Sequence, residues 1–153
     1  MKNKSIVIKY LSVFITLFVL YYITIIIFYV PKLRRDNIAI TADNLSNIIN
    51  ILEYNIKIEL SSNSAKLDEY IKSVSKQMNV RITILNESGA VISDSNENPK
   101  FMDNHLNRPE VVISLEKDFG VSSRRSSTLN EDMLYIAKKI TEGGKTIGII
   151  RIS

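Results

Sequence analysis

The sequence predicts an α+β protein: a transmembrane helix continuing into a long helix, then a five-stranded antiparallel sheet with flanking helices. Three observations carry that class. They are an uncharged apolar run near the N-terminus, a seven-residue apolar repeat after it, and short alternating segments separated by Gly- and Asn-containing turns.

The apolar run is Tyr10 to Val30, YLSVFITLFVLYYITIIIFYV. As a helix rising about 1.5 Å per residue it spans about 32 Å, close to the roughly 30 Å of a hydrocarbon core. Tyr10 and Tyr29 fall where the interfaces lie. A cleaved signal peptide fits poorly, because its apolar region runs about 7–15 residues and a small-x-small site follows it. Here Pro31 and Lys32 follow instead. Residues 1–9 are then the cytoplasmic N-terminus, 10–30 the anchor, 31–62 a juxtamembrane helix and 63–153 an extracytoplasmic domain of a cell-membrane protein. Charge barely decides the orientation, since Lys2, Lys4 and Lys9 face Lys32, Arg34 and Arg35 across the span.

The net charge of +4 is carried by these flanks. Residues 1–35 hold six cations and no acid, which leaves 14 Lys/Arg against 16 Asp/Glu in the remainder, a net of −2. Such a body offers no basic face for nucleic acid. The absence of cysteine excludes disulfides, thiolate metal sites and cysteine catalysis.

After the anchor, Ile38, Ala42, Leu45, Ile49, Leu52 and Ile56 recur in steps of four and three. That seam packs on the chain's own domain, or it also pairs with a second copy in a homodimer, and periodicity leaves both open. Ser61 to Ser64 break the pattern. A second helix carries Leu67, Tyr70, Ile71, Val74 and Met78 on one stripe and ends at Asn79. VRITILNESGAVISDS reads as a β-hairpin, and Asn96 to Asn107 as a polar loop. Pro109 to Lys117 form a short helix with Pro in its first turn and Glu110 at its positive end. Phe119-Gly120 closes it, with glycine at a left-handed position. VSSRRSST follows as an edge strand. DMLYIAKKI and TIGIIRI are the strongest strands, joined through a Gly-Gly turn.

The order helix-strand-strand-helix-strand-strand-strand is similar to that of a PAS-like or single Cache-like sensor domain. VRITILNESGAVISDS, MDNHLNRPEV, SSRRSSTLNEDMLYIAKKI and GIIRIS together resemble the transmembrane and extracytoplasmic sensor region of phosphate-regulon-type sensor histidine kinases of two-component systems. The resemblance implies a second membrane helix, a HAMP linker and a kinase core beyond Ser153. It also implies ATP and Mg for that core, and a response regulator as the partner that is phosphorylated. His105 lies in DNHLNRP, which is not a phosphoacceptor setting, and no Gly-rich nucleotide box occurs among five glycines.

No catalytic constellation emerges, because His105 has no nucleophile or paired carboxylate at fixed spacing. One histidine with scattered acids does not make a metal site, and these residues call for no cofactor. Asn104, His105 and Pro109 read as braces of the loop that leads into the Pro109 helix. Arg124 and Arg125 are adjacent on a strand, so only one looks inward. That one pairs with Asp94, Glu110 or Asp132, or else meets an anionic ligand. Met133, Tyr135 and Ala137 share one strand face, with Leu134, Ile136 and Lys138 on the other. A ligand cavity for an unknown small molecule or envelope component is expected at Arg108, Arg125 and Tyr135. The expected role is signal input to a membrane kinase. Its alternatives are a stand-alone anchored binding protein, or the input module of a chemoreceptor or cyclic-dinucleotide enzyme.

Overall fold

A computed structural model describes residues 2–61, 66–125 and 132–153. Of the break expected at Ser61 to Ser64, Ser61 is still helical and the rest lies outside the described residues, as does the end of the VSSRRSST strand from Ser126. The chain divides into two compact units, Met1–Ile40 and Thr41–Ser153.

The first unit is helical. Helix α1 spans Lys2–Thr24, a π-helical turn follows over Ile25–Tyr29, and helix α2 begins at Val30 and runs to Ser61. One helical run, Ile6–Leu60, is long and apolar enough to cross a membrane. The π turn was not foreseen, and Pro31 accounts for it. Proline has no N–H for the carbonyl four residues back, and its ring crowds that carbonyl. The ladder therefore slips by one residue, and the Val30 N–H bonds to the Ile25 carbonyl oxygen.

In the second unit the sheet has the order β2-β1-β5-β4-β3, antiparallel throughout. Its strands are β1 Ile82–Leu85, β2 Val91–Asp94, β3 Gly120–Arg125, β4 Asp132–Glu142 and β5 Lys145–Ile152. Helix α3 is Lys66–Met78 and helix α4 is Pro109–Glu116, with a 3-10 turn at Pro99–Phe101 inside the polar loop. Asn79 takes a φ of 52° where α3 stops, a conformation that asparagine tolerates better than most residues. Gly143 and Gly144 both have positive φ, as a two-residue type I′ hairpin requires.

Strand alternation gives the sheet two differently used faces. Ile82, Ile84, Ile136, Ile140, Ile150 and Ile152 pack against Leu45, Ile49, Leu52 and Ile56 of α2 and Leu67, Ile71 and Val74 of α3. Each fully buried isoleucine removes apolar surface worth roughly 1.5–3 kcal/mol. Lys138 projects from this face of β4 to Glu53 and Asn50 of α2, at 2.8 and 2.9 Å. The heptad seam is thus spent on the domain's own sheet. Leu45, Ile49, Leu52 and Ile56 are buried there, Ala42 packs at its margin and Ile38 is half-buried. Of the two uses that the repeat left open, packing on the chain's own domain is the one that Leu45, Ile49, Leu52 and Ile56 make.

The other face carries Leu85, Ala137 and Ile149, closed by Val111 of α4. Here Gly120 departs from expectation. It opens β3 instead of ending a helix with positive φ, and α4 lies directly on it. A Cβ at this position would overlap the Glu110 carbonyl oxygen and come within 2.7 Å of the Ser114 nitrogen. Glycine is needed for close approach, not for handedness. Gly120→Ala is expected to push α4 off the sheet and to cost about 1–3 kcal/mol, seen as a lower midpoint in thermal unfolding. An unchanged midpoint would show that α4 does not depend on this contact.

Candidate functional site

Along the α4 face a polar row crosses the strands. Asp94 of β2 stands opposite Thr83 of β1, and Thr83 stands opposite Arg151 of β5. Tyr135 of β4 and Arg124 of β3 complete the row. Polar groups at such depth persist only where partners replace water.

Asp94 is buried at one end of the row. It accepts the Thr83 hydroxyl at 2.7 Å, the Arg81 Nε at 3.1 Å and the backbone N–H groups of Asn96 and Glu97 at 2.9 Å each. Burial alone would raise its pKa. The donors, led by Thr83, outweigh burial and hold the carboxyl below its ordinary value. The 80s hairpin and the loop after it are thereby tied together.

At the other end Glu110, with no exposed surface, receives two guanidinium groups. Arg124 donates through Nη1 at 2.7 Å and Nη2 at 3.2 Å, and Arg151 donates through Nε at 2.7 Å. Burial again pushes the carboxyl up, and the Arg124 and Arg151 donors more than reverse it, so Glu110 is ionised. The Tyr135 ring stacks with both cations, 3.8 Å from the Arg124 guanidinium carbon and 4.4 Å from that of Arg151.

His105 closes the loop side of the row. Its backbone N–H bonds to the Gly89 carbonyl at 2.8 Å, and its carbonyl accepts the Arg108 N–H. Asn104 braces through its side chain, donating to the Ser88 carbonyl and accepting the Leu106 N–H. Pro109 begins α4, with Arg108 as the residue before it. The His105 imidazole, in contrast, is only 7 % exposed and its Nδ1 has no partner among the described residues. Its bracing therefore runs through the backbone. Burial, then the charges of Arg151 and Arg108, lower its pKa to about 4, so the ring is neutral at neutral pH.

Arg81, His105, Arg124, Tyr135 and Arg151 of this row line a cleft of about 850 Å³, with Asp94 and Glu110 buried behind them. Arg108, Arg125 and Tyr135, singled out from the sequence, all border it. The inward arginine is Arg124, whereas Arg125 is exposed across from Asp132 at the strand end. Arg151 was missed, although a lone cation in the apolar GIIRI strand on the Ile149 face is the signal that would have found it. Glu110, read as a helix-end charge and as one of three acids that the inward arginine could meet, is the one that pairs with Arg124. Lys76, Arg81, Arg108, Arg124, Arg125 and Arg151 all contribute to the lining, which makes the cleft cationic and suited to anions. Among the described residues no three His, Asp or Glu side chains stand together as metal ligands.

A five-stranded antiparallel sheet with α2 and α3 packed on one face and a polar cleft on the other defines a Cache-type fold. The chain belongs to the single Cache-like family, which matches residues 58–153. Among solved structures it is similar to the sensor domain of the V. cholerae histidine kinase DctB. That match has a TM-score of 0.61 and 17% identity over 77% of this chain and 50% of the other. It is also similar to the ligand-binding domain of the Pseudomonas fluorescens chemoreceptor CtaA, solved with L-isoleucine. Here the TM-score is 0.52 and the identity 15%, over 74% of this chain and 51% of that one. The chain thus spans about half the length of each. Among curated proteins none matches.

Proposed function

We propose that this chain is the extracytoplasmic signal-input module of a membrane-bound sensor histidine kinase of the phosphate-regulon type. Tyr10 to Val30 is its membrane anchor and residues 1–9 stay in the cytoplasm. The kinase core, with its ATP and Mg, and the response regulator it phosphorylates lie on the cytoplasmic side. The observation that carries this reading is a single element: α2 starts within the apolar run and ends with Leu52 and Ile56 in the sensor core. A change in how the sheet packs on α2 therefore bears directly on the anchor.

Relay by such a helix works best between two copies, and α2 has a second face for that. Ile40, Asn44, Asn47, Ile51, Tyr54 and Ile58 follow the same four-three spacing, offset from the buried seam. Ile40, Ile51, Tyr54 and Ile58 are exposed, Tyr54 by 73 %. A heptad repeat with asparagine at two seam positions suits a parallel pair of identical helices, where Asn meets Asn across the two-fold axis. Ile51→Cys and Tyr54→Cys in membranes are expected to crosslink between chains, and Leu52→Cys is not. Crosslinking at Leu52 alone, or at none of the three, would refute this dimer and with it the relay.

A second reading, the input module of a chemoreceptor, draws on the CtaA likeness. The coding sequence downstream of Ser153 separates the two: a methyl-accepting coiled coil would favour the chemoreceptor, and a histidine phosphoacceptor helix the kinase.

A further inference from the structure

The cleft contains more donors than the domain itself uses. Arg151 commits only its Nε to Glu110, and neither of its Nη groups has a hydrogen-bond partner among the described residues. The Arg108 guanidinium has no ion pair or hydrogen bond among them either, although Arg108 lines the same cleft. The buried Nδ1 of His105 is the third unpartnered group at this place. Charge is unbalanced in the same direction. Glu110 is one carboxylate set against two guanidinium groups, Arg124 and Arg151, and Asp94 is taken up by Arg81 and Thr83. A buried nitrogen without a partner, at His105, and a surplus cation are costly unless something supplies what is missing.

We propose that the cleft is an oxyanion site in which Arg151, Arg108 and His105 receive a small carboxylate or phosphate group, with Glu110 as the fixed counter-charge that leaves room for one added negative charge. This rests on the functional reading only in that the cleft is the signal-receiving side of the domain. Arg151 presents its two Nη groups as a fork, the geometry that suits a planar carboxylate or two phosphate oxygens. Tyr135 holds that guanidinium plane by stacking. Arg108 adds a cation from the residue preceding α4, so anion binding would fix the start of that helix. His105 is neutral, and its Nδ1, unpartnered in the cleft, would donate to the anion in the Nδ1–H tautomer. An extra acid in place of the ligand would be redundant, whereas an amide or an amine ligand would leave the surplus charge uncompensated. The site therefore selects for anions over neutral polar molecules of the same size.

The test is equilibrium dialysis of the full chain in lipid nanodiscs against labelled inorganic phosphate and, separately, labelled acetate, with ionic strength held by chloride. Saturable uptake of one anion per chain at millimolar concentration, by either probe, is expected, and the stronger probe identifies the source. Arg108→Gln lies on the rim and leaves the Glu110 cluster intact. It is expected to weaken binding about ten-fold or more, as for loss of one charge-assisted hydrogen bond. Arg108→Lys should recover part of it. The site is overturned if neither anion binds saturably, or if Arg108→Gln binds like the parent. Failure of the α2 crosslinks with anion uptake intact would instead remove the relay and leave the site standing.

Discussion

Replacing Glu110 with alanine is expected to destabilise the domain by about 3–5 kcal/mol, the loss typical when one partner of a buried charge cluster is removed. The carboxylate is fully buried and is the shared acceptor of Arg124 and Arg151. Without it two guanidinium groups stand against the same tyrosine with nothing between them. Arg151, 5 % exposed, cannot turn to water without leaving the sheet. Glu110→Gln should cost less, because the amide oxygen still accepts one donor. A stronger check is to replace Glu110, Arg124 and Arg151 together with leucine or methionine. Buried ion clusters are often matched by apolar residues of similar volume, so the triple variant is expected to be more stable than Glu110→Ala, although it deletes three times as many side chains. Urea unfolding followed by far-UV circular dichroism measures all three. A Glu110→Ala cost below about 1 kcal/mol would be in the range of an exposed pair, and would show that Glu110 does not carry the counter-charge.

The contrast between this cluster and the rest of the fold explains what the sequence could convey. Element order depends on local signals, and these are plain here. They include Pro109 at a helix start, Gly143-Gly144 at a hairpin, Asn79 at a helix end, and Met133, Tyr135 and Ala137 alternating with Leu134, Ile136 and Lys138. Which side of α2 faces the sheet is less local. Leu45-Ile49-Leu52-Ile56 and Ile51-Tyr54-Ile58 both follow heptad spacing, and only the isoleucines of distant β4 and β5 decide between them. The site is less local still. Residues 110, 124 and 151 meet because α4 rests on Gly120 and because Ala137 stands between Gly120 and Arg151 in the sheet register. Periodicity along the chain contains no information about register between strands that are far apart in sequence. The choice of Arg124 over Arg125 followed the same logic: one inward arginine was legible, but its identity depended on where β3 begins. Arg108 and Tyr135 were legible because a cation before a helix N-terminus and an aromatic on a strand face are noticeable on their own.

His105 should make the domain lose stability as the pH falls below neutrality, by up to about 3 kcal/mol in total. The unfolded chain binds the proton with a pKa near 6.5, and the folded domain only at about 4. Above pH 6.5 both forms are neutral at this residue and its contribution is complete. Between 6.5 and 4 the unfolded chain takes up a proton that the folded domain refuses, so stability declines towards acid, and below 4 this residue adds no further loss. The groups facing the ring set that sign. Arg151 and Arg108 repel an imidazolium, while Asp94 and Glu110, each already held by arginine, offset only part of the repulsion. The same two carboxylates have depressed pKa values, so their own contribution is lost as pH falls through values below the ordinary carboxylate range. The decline between pH 6.5 and 4.5 therefore belongs to His105. Urea unfolding at a series of pH values should show it in the parent and not in His105→Gln, and an equal decline in both would refute the assignment. Oxyanion binding adds a second signature. A negative charge beside Nδ1 makes the imidazolium less costly and raises the folded pKa towards 6.5. Phosphate or acetate should then flatten the decline, and chloride at the same ionic strength should not.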